Sequence, residues 1–184
     1  METKDEKSLI IDILDGQTEK FGYFINTYSS LVFSLVLKIV AKKEDAEELT
    51  EDTFIKAFGT LNKFQGNSKF STWIYRIAYN KAISFTRKKK NILFDEIQLD
   101  TVSISEADDL LLSNDEELQK AEKIEELQQC ISMLNNEDRA LIHLFYYQEY
   151  DIKEIAEIID ISVSNIKVRL FRVRKKLYIM MKNK

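Results

Sequence analysis

The sequence predicts an all-α protein: two helical domains joined by an acidic flexible linker, the C-terminal one containing a helix-turn-helix. Three observations predict it. The 184 residues include no proline and four glycines, the last at Gly66, so little interrupts helical propensity. Apolar residues recur at spacings of three and four over most of the chain. From Asp151 onward the chain reads as a short amphipathic helix, a tight turn and a long basic helix.

Taken in order, Ser8 to Leu14 reads as a short helix ending at Asp15-Gly16. Gln17 to Ala41 reads as a long helix, with a core face of Phe21, Phe24, Ile25, Tyr28, Leu31, Val32, Leu35, Val36, Ile39 and Val40. Lys42-Lys43 is a turn. Asp45 is an N-cap candidate with Glu48 three residues on, and that helix is expected to stop at Gly59. Residues 62–70 read as a loop. Ser71 or Thr72 opens a helix to about Lys89, with Ile74, Ile77, Ala78, Ala82 and Phe85 on one face. Trp73, Arg76, Asn80, Ser84 and Arg87 share another face, where the tryptophan either packs under a loop or serves the basic surface. Residues 91–115 lose periodicity and become acidic, which marks a linker; Leu110-Leu111-Leu112 could begin the next helix. Helices follow over Asp115–Leu134 and Glu137–Gln148. The expected domains are 1–90 and 116–184.

Charge is segregated. Residues 44–52 carry six acids and no base, and residues 62–90 carry eight bases and no acid. Residues 91–126 carry twelve acids against Lys120 and Lys123, and residues 163–184 carry eight bases and no acid. Two basic blocks, each on a helix with aromatics interleaved, point to two contacts with a polyanion.

Several classes are excluded. The single cysteine, Cys130, cannot form an internal disulfide and reads as a buried structural thiol. With His143 the only histidine, a Cys/His zinc site and a Cys–His or Ser–His catalytic pair are nearly excluded. No metal and no cofactor is expected. The longest apolar run, Leu31 to Val40, is broken by Ser34 and Lys38 and falls short of a membrane span. No membrane insertion and a cytoplasmic location are therefore expected.

In the C-terminal motif, Asp151 to Ile159 turns Ile152, Ile155, Ala156 and Ile159 inward. The small Ala156 lets two helices cross closely. Asp160 to Val163 is the turn, and Asp160 tolerates a left-handed backbone. Ser164 is expected to cap a helix running to about Met180, with Ile166, Leu170, Val173 and Leu177 packed inward. Lys167, Val168, Phe171, Arg172 and Lys175 lie on or near the outward side, suited to base edges and thymine methyls. Ser164, Asn165, Arg169 and Lys176 suit phosphates.

Three segments, in order, resemble bacterial RNA polymerase sigma factors of the extracytoplasmic-function (ECF) type. Asp45 through Phe58 is similar to the family's second conserved region. Phe64 and Gly66, then Phe70-Ser71-Thr72-Trp73-Ile74-Tyr75-Arg76-Ile77-Ala78-Tyr79-Asn80, resemble its promoter-melting segment. Ile155-Ala156 through Leu177 resembles its fourth region. The resemblance implies a non-enzymatic subunit that binds core RNA polymerase at the beta-prime clamp and beta flap. Asp45, Glu48, Leu49, Glu51, Asp52, Phe54 and Ile55 would contact the clamp. Phe64, Asn67, Ser68, Lys69, Phe70, Trp73, Arg76, Asn80 and Arg87 would open and read the minus-ten promoter element. Ser164, Asn165, Lys167, Val168, Arg169, Phe171, Arg172 and Lys175 would bind the minus-thirty-five element. The linker would thread into the polymerase, and an anti-sigma factor would be a partner. Glu51 stands where the family usually has an amide, and Lys167 and Val168 replace commoner polar or Arg choices.

Two other classes compete. A helix-turn-helix regulator would use residues 1–90 for sensing or dimerisation, but such a domain has no reason to carry the basic, aromatic Phe64–Arg87 block. A helical enzyme needs a catalytic constellation, and the sequence offers none.

Overall fold

The structure is a computed structural model and describes residues 3–95 and 115–182. It is all-helical, with no β-strand among the described residues. The helices are α1 (Thr3–Leu14), α2 (Gly22–Val40), α3 (Lys43–Gly59), α4 (Phe70–Asp95), α5 (Asp115–Ser132), α6 (Asn136–Ile142), α7 (Ile152–Ile159) and α8 (Val163–Lys182).

Helix ends depart from the expected ones for local reasons. A 3-10 turn, Thr18–Phe21, precedes α2, which ends where Ala41 turns left-handed with φ 68°. Lys42, not Asp45, precedes α3; Asp45 lies in its first turn, where a carboxylate suits the helix dipole. Gly59 is still helical, and Thr60 closes the end. Helix α4 starts at Phe70 and runs beyond Lys89 to Asp95, so residues 91–95 are helix rather than linker. The remaining linker expectation, with Leu110–Leu112, lies outside the described residues. The expected Glu137–Gln148 helix divides into α6, capped by Asn135 accepting from the Asp138 amide, and a π-helical turn, His143–Tyr147. Ser162 rather than Ser164 caps α8: its Oγ accepts from the Asn165 amide at 3.3 Å.

Helix α2 is the centre of the packing. Phe24, Val32, Leu35, Val36 and Ile39 are buried, while Asn26, Thr27, Ser30 and Lys38 face outward. Ile25 and Leu31, expected in the core, are exposed. Residues Thr18–Val40 are long and apolar enough to cross a membrane by length and composition, with mean hydropathy 1.4. That corrects the expectation drawn from uninterrupted apolar runs, but here α2 is a core helix packed against α3, α4 and α6.

The core does not stop at the boundary between the halves. One continuous cluster joins Phe24, Leu35, Ile74 and Tyr75 to Leu141, Leu144, Ile155, Ile158 and Ile166. Helix α7 packs on α4 as well as on α8, and α6 packs on α2. A smaller cluster of Cys130, Leu134, Ile142, Val173 and Leu177 joins α5, α6 and α8. Cys130 is fully buried there, as a structural thiol should be.

His143 sits between the halves. Its Nε2 lies 3.2 Å from Ser34 Oγ on α2 and 3.4 Å from Gln148 Nε2. Burial, reinforced by the Lys38 charge, pushes its pKa down to about 4. The unfolded chain therefore takes up a proton near pH 6.5 that the folded chain refuses until about pH 4. Stability is highest above pH 6.5 and should fall by roughly 3 kcal/mol as pH drops across that window. Denaturant melts at pH 7 and pH 4.5 measure this, and His143→Gln should remove most of the difference. An unchanged difference in that variant would assign the acid sensitivity to carboxylates instead.

A candidate nucleic-acid interface built from three surfaces

The acidic helix α3 has two faces. Ala46, Leu49, Thr50, Thr53, Phe54 and Ala57 are buried, so Leu49 and Phe54 hold the helix rather than present a surface. Glu48 and Glu51 point outward beside Ile55, which is 71% exposed, and Phe58. Asp45 and Asp52 are tied to α4, through Lys89 at 2.9 Å and Lys81 at 2.7 Å. The face left free is acidic with apolar side chains set into it, which suits a basic protein surface.

The second surface is an aromatic wall at the start of α4. Phe70 is buried and stacks against Phe24 with centroids 4.1 Å apart. Trp73 is half-buried, 5.2 Å from Phe64 and 5.5 Å from Phe70, so it packs on the loop and keeps a free edge. The packing of Trp73 under the loop is therefore what the structure shows. A cleft of about 600 Å³ opens beside this wall, lined by Tyr28, Phe64, Asn67, Ser68, Lys69 and Thr72 on one side. Tyr150 and Glu154 line the other side. Thr72 Oγ1 is buried without a partner among the described residues. Asn67 and Asn80 are exposed.

Three bases expected at the minus-ten element, Lys69, Arg76 and Arg87, each meet a carboxylate. Lys69 meets Glu154 at 2.8 Å, Arg76 meets Asp160 at 2.8 Å, and Arg87 meets Glu137 at 2.9 Å. The hydrogen bond to Glu154 raises the Lys69 pKa. Burial pushes Glu137 up, but hydrogen bonds from Arg87 and Arg169 outweigh it and hold the carboxyl below the usual range. Sequence reasoning missed Glu137, Glu154 and Asp160 as members of the site. No signal could have found them, because periodicity marks an apolar face but not its distant partner.

The third surface is α8. An Asp151–Glu154 capping box opens α7, and Asp160 ends it left-handed, with φ 64°. Ile166, Leu170, Val173 and Leu177 are buried. Ser164, Asn165, Lys167, Val168, Phe171, Arg172 and Lys175 are all exposed, Phe171 at 67%. Arg169 is set apart: it is three-quarters buried and held by Asp138 at 2.7 Å and Glu137 at 3.0 Å. Arg174 donates to Tyr146 Oη at 2.7 Å and lies over the Phe145 and Tyr146 rings.

A family model described as Sigma-70 region 2 matches residues 24–92, and one described as Sigma-70, region 4 matches residues 124–177. The chain is 30% identical over 177 residues to the ECF RNA polymerase sigma factor SigW of Bacillus subtilis, covering 93% of this chain and 94% of that one. It is 24% identical to the RNA polymerase sigma-H factor of Pseudomonas aeruginosa, covering 94% and 91%. A solved structure of the sigma factor RpoE with the anti-sigma factor NepR from Bartonella quintana has the same fold. Its TM-score is 0.69 at 22% identity, covering 89% of this chain and 98% of that one. With 30% identity to an ECF sigma factor over 93% of its length, and matches to both sigma-70 regions in order, the chain belongs to the ECF family of RNA polymerase sigma factors.

Proposed function

We propose that this sigma factor docks on the polymerase clamp through the outward face of α3, opens the minus-ten element against the Phe64–Trp73 wall, and reads the minus-thirty-five element with α8. It acts in the cytoplasm as a non-enzymatic subunit, and an anti-sigma factor is its partner when inactive. The observation that carries the reading is the exposed stripe of α8. Its polar and apolar groups point away from a buried Ile166–Leu177 seam, so a rigid body presents them to a groove. The cleft beside loop 64–70 supplies the pocket that an unstacked base needs. Within the clamp set, Glu48, Glu51 and Ile55 make the contact, while Leu49, Phe54, Asp45 and Asp52 set the helix in place. Arg169 braces α8 against α6.

The test is run-off transcription with core RNA polymerase, after co-purification of the two. The wild-type chain should direct initiation at a cognate promoter. Lys167→Ala and Arg172→Ala should each weaken promoter binding by roughly 1–3 kcal/mol, most at particular minus-thirty-five base pairs. Equal losses on every sequence would make both residues phosphate contacts. Strong retardation of promoter DNA without polymerase, and no transcription with it, would favour an ordinary helix-turn-helix regulator.

A further inference from the structure

We propose that Glu6, on α1, is a specificity residue of the minus-ten site: its carboxylate accepts the exocyclic amino group of the unstacked base and so selects cytosine or adenine against thymine. This rests on the assignment of the cleft beside loop 64–70 to an unstacked base.

Glu6 breaks the pattern of its own helix. Glu6, Ile10 and Ile13 recur at spacings of four and three and share the buried face of α1. Glu6 is only 9% exposed and stands where an apolar residue would pack best. A buried carboxylate is costly without a cation. Yet its hydrogen-bond partner among the described residues is a neutral group, the Tyr28 hydroxyl, which donates to Oε1 at 2.6 Å. Burial, and then the Glu6 carboxylate, push the Tyr28 pKa up, so the hydroxyl remains a donor. A local rule broken at a buried position points to a site rather than to packing.

The surroundings of Glu6 supply the use. Glu6, Tyr28 and Phe64 all line the cleft. The Tyr28 ring lies 5.7 Å from Phe70, which in turn lies 5.8 Å from Phe64 and 5.5 Å from Trp73. The hydrogen bond to Tyr28 therefore ties the carboxylate to the same aromatic wall that would stack a base. Stacking tolerates every base, because each has a π-face. An edge contact does not. A carboxylate only accepts; cytosine and adenine offer it an amino group where thymine carries a carbonyl oxygen, which it repels. Helix α1 lies outside residues 24–92, which match Sigma-70 region 2, so the matched region does not supply this contact.

The test is a pool of barcoded promoters, randomised over both elements and transcribed by core polymerase with each chain, the transcripts being counted by sequencing. Glu6→Gln keeps one oxygen to accept from Tyr28 and replaces the other with an N–H donor. Asp12→Asn removes the same charge from the same helix, at a carboxylate that pairs with Lys20 outside the cleft. At one minus-ten position the wild-type chain should prefer cytosine or adenine over thymine by about fivefold or more, the low end of a good edge contact, and Glu6→Gln should bring that ratio below about twofold. Other positions should keep their preferences, and Asp12→Asn should leave the ratio intact. The readout is a ratio within one preparation, so a less stable variant still reports it. A preference that is absent, that survives Glu6→Gln, or that Asp12→Asn erodes equally overturns the assignment and leaves Glu6 a packing residue of α1. A wild-type chain that yields no promoter-dependent transcript overturns instead the sigma-factor reading of the cleft.

Discussion

Trp73→Ala is expected to cut open-complex formation about ten- to a hundredfold while leaving closed-complex binding nearly unchanged. The magnitude is that of one lost stacking platform, roughly 1–3 kcal/mol per base. The selectivity follows from position. Trp73 lies against both Phe64 and Phe70, so in the proposed role its free edge and the loop it braces would be used only when a base leaves the duplex. The α8 stripe and the α3 face, which would hold the closed complex, are elsewhere on the molecule. Permanganate reactivity of unpaired thymines measures opening, and a gel shift with holoenzyme at low temperature measures the closed complex. Trp73→Phe should keep most of the activity, because a ring still fills the gap beside Phe64. Equal losses in both assays after Trp73→Ala would reduce the tryptophan to a structural prop.

The three surfaces of the interface were legible in the sequence to different depths. The α7–α8 motif was read nearly whole, because capping residues, a left-handed turn position and a 3.6-residue period are local signals. Ser162 was missed as the cap because Ser164, a second serine close by, has the same capping chemistry, and only the Asn165 amide decides between them. Ile158 was missed as a core residue because α7 is buried on two sides, against α4 and α8, so its apolar arc is wider than one partner would require. The π-helical turn at His143–Tyr147 left no period to detect in five residues. Packing of the halves on one another was invisible. Arg76 and Asp160 are 84 residues apart, and each reads alone as a solvated charge. The sequence also over-assigned roles to buried side chains. Leu49, Phe54 and Phe70 match the family's motifs because they build the surfaces that their exposed neighbours present.

The continuity of the core has its own consequence. Ile158→Ala should destabilise the protein by about 2–5 kcal/mol, the range for truncating a buried isoleucine and leaving a partly collapsed cavity. Ile158 is fully buried, and α7, at eight residues, cannot hold itself helical without its packing. For a chain of this size that corresponds to a melting temperature lower by roughly 5–15 °C. Val168→Ala, at a half-exposed position on α8, should change stability by less than about 0.5 kcal/mol. Calorimetry adds a second readout. Ile158 belongs to the cluster that includes Phe24 and Tyr75, so the whole endotherm should move as one. Two transitions, only the C-terminal one shifted by the substitution, would mean that the halves fold separately in solution and meet only weakly. The ion pairs Lys69–Glu154, Arg76–Asp160 and Arg87–Glu137 would then be what holds the halves together, and salt alone should separate them. A single shifted transition would show that the seam between α4 and α7 carries stability, and that polymerase must supply the free energy to open it.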